Sequence, residues 1–332
     1  MTATNPMWAN MNDSQRQAFQ RAVSVSTAST RLTQSYVNRV IQQLSLREFG
    51  ALGTLSRRGG SGAQAIVNRR SAASMTASNV WVADTTSLTE ATGTYAQTTW
   101  SYQTLATRGQ VTRKIRATGR SYIDVLAEEM THKLDDFNAA LESALFIGDS
   151  GAVTNQIDGL LTQINSYSSQ AQVVANTTAA AGDSVTLAKL DEAIDLVKGS
   201  AARADLVIYG SYLGVRKLNA ALQAQQQFND MVEIAAGFRV RSYDGIPIVV
   251  STGMPDDLTW SGSSVTSLSG ATTTALVVVN KRHAWVEELT PTTMMPLARD
   301  DSQSENFDIF WDGALVVGNP LGCALIGGID AS

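Results

Sequence analysis

The sequence predicts an α+β fold, and three observations predict it. One amphipathic stretch, 121–147, is long enough for a helix on the order of 35 Å. It follows a segment, 51–120, that is rich in Gly, Ser, Thr and Arg and whose apolar residues alternate as in strands. After it, helical and strand-like runs interleave over 185–250 and give way to strands.

Bulk properties narrow the function classes. The chain has 332 residues, 44% hydrophobic and 17% charged, with Thr, Ser, Ala and Gln in place of the usual charge of about 25%. Such a surface suits contact with other protein as well as water. A single cysteine, Cys323, excludes an internal disulfide. The N-terminal residues carry no apolar signal core, and no run reaches about 18 apolar residues, so the expectation is a soluble chain with no membrane partner. The net charge of −5 conceals a division: residues 1–120 carry +10 and residues 121–332 carry −15. That split points to nucleic acid for the first third, or to complementarity between copies of the chain.

The elements follow in order. Residues 1–50 hold two short amphipathic patterns, about 14–23 and 33–46, around the polar run "SVSTASTR", and read as an arm. "RRGGSG" (57–62) reads as a pivot. "VWVA" (80–83), "YAQTTWSYQTL" (95–105) and "QVTRKIRAT" (110–118) read as strands of a hairpin that cannot bury a core of its own. In the helix, Ile123, Leu126, Met130, Leu134, Phe137, Leu141 and Leu145 form one narrow apolar stripe. Asp124, Glu128, Asp135 and Glu142 line a polar face, and Gly148 is the expected C′ residue. With one stripe to bury, the helix should lie across a sheet. Residues 185–250 alternate helix, buried strand ("ADLVIYG"), helix, then a turn and strand ("FRVRSYDGIPIVVSTGMP"). A polar loop, 256–273, precedes strands at 274–289, 306–320 and 322–329. There is no internal repeat.

A search for catalysis finds little. The two histidines, His132 and His283, are far apart in sequence, and no set of three or four metal ligands has suitable spacing. No phosphate-binding or nucleophile-elbow motif is present; "RRGGSG" has the glycines of one but no strand leading in and no helix opening after it. The acid pairs Asp135–Asp136, Asp256–Asp257, Glu287–Glu288 and Asp300–Asp301 read as solvated or inter-chain partners rather than as acid/base or metal groups. No catalytic, cofactor or metal site is expected, and the chain reads as a non-enzyme. A nucleic-acid reading of 51–120 competes with self-association, but the −15 of the remainder would repel phosphates. The self-association reading makes Arg57, Arg58, Arg69, Arg70, Arg113 and Arg116 the basic side of a contact between copies. It makes Asp124, Glu128, Asp135 and Glu142 the acidic side, with Trp81 and Trp100 as apolar contacts.

The order of elements carries a resemblance. A polar arm, a long hairpin, one helix ending in "FIGDSG" then "IDGLL", a compact unit ending in "YDGIPIVVSTGMP", and late strands through "WDGALVVGNP" resemble the major capsid proteins of tailed double-stranded DNA bacteriophages, a shell fold shared with encapsulins. The resemblance covers nearly the whole chain. It implies an N-terminal arm (1–50), an extended loop (51–119), the spine helix of a peripheral domain (120–154), an axial domain (155–273), and peripheral-domain strands with the C-terminal segment (274–332). It implies a virion shell, assembled in the host cytoplasm from pentamers and hexamers of this chain, with scaffolding and portal proteins and packaged DNA as partners. Alternative readings are an encapsulin-like compartment around an enzyme cargo and a nucleic-acid-binding protein. Family members that crosslink their shells use a lysine on the extended loop, and no lysine lies between Arg47 and Arg113.

Overall fold

The apolar stripe and its cap determine the longest element. In the computed structural model Val125–Ile147 is a helix, and Asp124, expected to start its acidic face, is its N-cap. The Asp124 carboxylate accepts hydrogen bonds from the backbone N–H groups of Leu126 and Ala127 at 3.2 and 3.4 Å, two of the donors a helix start leaves unpaired. The helix ends at Gly148, but not by the left-handed turn expected there: its φ is −53°. Glycine is needed because a Cβ would lie 2.2 Å from the Ile157 carbonyl oxygen and 2.5 Å from that of Ala144.

The structure describes residues 47, 49–72, 81, 84, 93–119, 124–197, 205–224, 231–235, 238–268, 272–297 and 303–332. The arm expected over 1–50 therefore lies almost wholly outside the described residues, as does the strand expected at 80–83, apart from Trp81. Helices are α1 (Gly50–Thr54), α2 (Arg113–Gly119), α3 (Val125–Ile147), α4 (Leu160–Ser166), α5 (Leu187–Leu196) and α6 (Tyr212–Ala224). Strands are β1 (Ser56–Gly59), β2 (Gln64–Ala72), β3 (Thr94–Ser101), β4 (Gln103–Thr112), β5 (Val173–Ala175), β6 (Leu206–Gly210), β7 (Met231–Ala235) and β8 (Phe238–Tyr243). They continue with β9 (Ile246–Val250), β10 (Leu258–Trp260), β11 (Val265–Leu268), β12 (Thr273–Asn280), β13 (Ala284–Pro296), β14 (Ser304–Val317) and β15 (Cys323–Asp330).

Among the described residues these strands make three sheets. One has the order β1-β13-β14-β4. The largest runs β11-β10-β12-β6-β9-β8-β7, with β15 beside β12 and β5 beside β15. The third is the hairpin β2-β3. The large sheet is buried on both faces, and period-two alternation assigns each side chain. Val207 and Tyr209 of β6, Val277 of β12 and Leu325 of β15 join the core that holds Phe137, Leu141, Leu145 and Phe146 of α3 and Leu160 and Ile164 of α4. Their neighbours Ile208, Leu276, Val278 and Ile326 join the opposite core, with Leu190 and Ile194 of α5 and Leu218 and Leu222 of α6. The first core also takes Phe307, Ile309, Trp311 and Leu315 of β14, so α3 does lie across sheets. The "YDGI" turn between β8 and β9 has positive φ at both Asp244 (50°) and Gly245 (76°), the geometry that suits a two-residue hairpin.

Two expectations are corrected. The run 110–118 is a strand only to Thr112 and then turns into α2, because its alternation is short enough to serve either period. The run 274–289 is two strands, separated at 281–283 by a turn in which the Asn280 side chain accepts from the Arg282 N–H at 3.0 Å. β12 pairs with β6 and β15 in the large sheet, whereas β13 and β14 pair in the four-stranded one.

Candidate subunit-contact surface

The hairpin has two chemically distinct faces. Register pairs Ala65 with Trp100, Val67 with Thr98 and Arg69 with Ala96 on one face. On the other it pairs Ile66 with Thr99, Asn68 with Gln97 and Arg70 with Tyr95. The first face turns to the body, where Ala65 is buried against Trp285 and Val316, with Val67, Trp100 and Tyr102 packed around them. The second faces outward, with Ile66 55% and Tyr95 72% exposed. Trp81 is 86% exposed.

Several of the expected contact residues have partners within this chain. The hairpin base lies on this chain, so Trp100 is half-buried and donates its ring N–H to Gln163 Oε1 at 3.0 Å. Arg69 turns inward, donating to the Gly318 and Val317 carbonyls at 2.6 Å each. Its burial lowers its pKa. Arg58 stacks 3.8 Å above the Trp285 ring. Arg57 lies 3.2 Å from Glu288, and Arg116 pairs with Glu305, so the basic segment meets acids of its own β13 and β14. Those two strands adjoin it in the four-stranded sheet, which brings the opposite charges together. Arg70 and Arg113 are exposed.

The acidic side disperses as well. Asp124 caps α3, Glu128 lies 3.7 Å from His132 one turn on, and Asp135 is partly buried. Glu142 is the clearest correction. It was expected on an exposed face, yet it is fully buried. Its carboxylate accepts from the N–H groups of Ala51 (2.7 Å) and Leu52 (2.8 Å) and from the Ser251 hydroxyl (2.6 Å). The N-terminus of α1 has no cap of its own, and Glu142 supplies one from a distant helix.

Sequence reasoning missed three further groups. Arg108 and Asp308 are direct cross-strand partners, 2.7 Å apart, and Arg108 holds the Asp308 carboxyl below its ordinary pKa. Tyr102 donates to Glu287 at 2.5 Å, and desolvation together with that bond pushes its phenol up to about 12. Tyr209, buried beside α1, shares a 2.6 Å hydrogen bond with Thr54.

Among the described residues no group of three or more His, Cys, Asp or Glu could hold a metal ion, and no helix is long and apolar enough to cross a membrane. A cavity of about 350 Å³ lies where α3 and α4 meet β10 and β11. Its lining includes Asp149, Thr162 and Ser166 over Leu161, Leu258 and Val265, with no histidine, cysteine or lysine. His283 sits in the turn before β13, not on a strand.

The fold is shared widely. The SrpI encapsulin from Synechococcus elongatus PCC 7942 superimposes with a TM-score of 0.66 at 13% identity, over 92% of this chain and 96% of that one. The capsid of cyanophage A-1(L) gives 0.66 at 14%, over 91% and 98%. The capsid of a native GTA particle gives 0.66 at 16%, over 92% and 98%. No curated protein matches the sequence. The family model of the SU10 major capsid protein matches residues 16–330, nearly the whole length. The chain belongs to the SU10 major capsid protein family.

Proposed function

We propose that this capsid-forming chain closes into an icosahedral shell of pentamers and hexamers around double-stranded DNA, with β2–β3 reaching onto a neighbouring copy. The observation that carries the reading is the outward face of the hairpin. Ile66 and Tyr95 stand exposed on a two-stranded element with no core of its own, and such an element gains stability only by lying on another surface. Its inner face already lies on its own chain, so the outer face is what remains for another copy. Scaffolding and portal proteins complete the assembly, which takes place in the host cytoplasm. Contact with DNA is non-specific: Arg57, Arg108 and Arg116, which could meet phosphates, are engaged by the chain's own acids. The structural role needs no catalytic group.

The test is expression of the chain alone, with sedimentation and negative-stain microscopy. Wild-type protein should yield closed shells. Ile66→Asp with Tyr95→Asp should leave circular dichroism unchanged and abolish shells. Normal shells from the double variant would overturn the role of the hairpin. Shells that enclose a co-purified enzyme in place of DNA would favour a compartment related to the encapsulin.

A further inference from the structure

The hairpin has no core, so its direction is set by its contacts with the body. A chain of contacts runs through both strands on its inner face, from Trp100 near the base to Arg69, which pairs with Ala96 further out. Arg69 of β2 donates from Nε to the Gly318 carbonyl and from a terminal nitrogen to the Val317 carbonyl, gripping two consecutive peptide groups where β14 ends. Its guanidinium carbon lies 5.3 Å from the Trp100 ring centroid on β3. Trp100 donates to Gln163 of α4, and Gln163 Nε2 in turn donates to the Leu315 carbonyl of β14 at 2.9 Å and the Asp158 carbonyl at 2.7 Å. A planar guanidinium fork on two fixed acceptors resists rotation in a way that one ammonium donor does not. Both ends of the chain terminate on β14, so the hairpin is held to one strand of the body from two directions.

We propose that Arg69, Trp100 and Gln163 form an angular pin, which fixes the direction of the hairpin and so the angle between neighbouring copies and the diameter at which the shell closes. The proposal rests on the reading of the hairpin as the arm between copies. The leverage is large: from Ala65, paired with Trp100, to Ala72 the strand extends roughly 23 Å, so a tilt of about 10° about that end displaces the other by about 4 Å, more than a contact tolerates. None of the three residues need touch the neighbour, which makes them positioning residues.

The experiment compares wild-type protein with Arg69→Lys, Arg69→Ala, Gln163→Ala and Trp100→Phe. Backbone amide exchange is followed on free subunits, and shell diameters by electron microscopy. All subunits should keep their circular dichroism. In Arg69→Ala and Gln163→Ala the amides of 64–72 and 94–101 should exchange roughly tenfold faster, as local opening becomes easier. Shells of these variants should be mixed in diameter or open, with Arg69→Lys intermediate. If Arg69→Ala does not fold, Trp100→Phe decides, because it keeps an aromatic ring under the guanidinium and removes only the bond to Gln163. Unchanged exchange, or shells of wild-type diameter from variants whose exchange is raised, would overturn the pin. Failure of the wild-type chain to form shells would instead overturn the shell reading, and the exchange data would still decide whether the pin exists.

Discussion

Replacing Glu142 should destabilise the subunit although the residue lies on the helix face that sequence marks as polar. Three donors converge on its two oxygens, and Ala51 and Leu52 can only donate. In Glu142→Gln, whichever way the amide is turned, its NH2 opposes one of those backbone N–H groups. Leaving one buried donor unpaired costs about 1–3 kcal/mol. The Ser251 hydroxyl can adapt, since it can accept from an amide. Glu142→Ala removes the acceptor for all three donors and empties the site, so about 3–6 kcal/mol is expected, against a whole-domain stability of about 5–15. Urea unfolding of the free subunit, followed by tryptophan fluorescence, reads both values. A double-mutant cycle with Ser251→Ala should show coupling of about 0.5–3 kcal/mol. A Glu142→Gln midpoint equal to wild type would refute the claim that this carboxylate holds α1 in place.

Three other outcomes follow from packing and charge. Phe137→Ala, at a buried position of α3, should cost about 3–5 kcal/mol, and more than Leu134→Ala at its half-buried neighbour; the reverse order in urea melts would mean that the inward face is misassigned. The Arg108 bond depresses the Asp308 pKa in the folded chain, so its contribution is complete above the ordinary 3.8 and is lost as pH falls through the lowered value. Arg108→Gln should therefore raise the Asp308 midpoint in a carboxyl NMR titration, and an unmoved midpoint would deny the pairing. Denaturing, reducing gels of assembled shells should show one band near 35.4 kDa, because Cys323 is buried and no lysine lies between Arg47 and Arg113; a surviving ladder would reveal covalent links.

What could be read from the sequence was whatever repeats with a short period. The stripe from Leu126 to Leu145 specified α3 because its apolar residues recur at three or four positions, and "LVIYG" was evidently a buried strand. What could not be read depends on register or on distant partners. Arg108 meets Asp308 because β4 pairs antiparallel with β14 at that offset, which no local pattern encodes. Glu142 has the spacing of a surface residue, and it is buried by distant parts of the chain, α1, whose Ala51 is 91 positions away, and the segment at Ser251 and Gly253. The turn after Asn280 was missed because it contains neither glycine nor proline.

The division of charge between the two parts of the chain now has a physical account that begins inside the subunit. The basic segment contributes β1 and β4, which form the two edges of the four-stranded sheet, and the acidic remainder contributes β13 and β14 between them. Strand pairing thus sets Arg57 beside Glu288 and Arg108 beside Asp308, and Arg116, just beyond β4, meets Glu305. Exposed pairs of this kind are worth little singly, about 0–1 kcal/mol, but opposite signs on adjoining strands also disfavour alternative registers, in which like charges would meet. The charges therefore help to specify how the chain folds on itself. The surface left for a neighbour on the hairpin is of another kind: Ile66, Asn68, Gln97, Thr99 and Tyr95, with Arg70 as the one charged residue among the described residues of that face. A contact of that composition can be made and adjusted without first breaking the ion pairs that hold each subunit together.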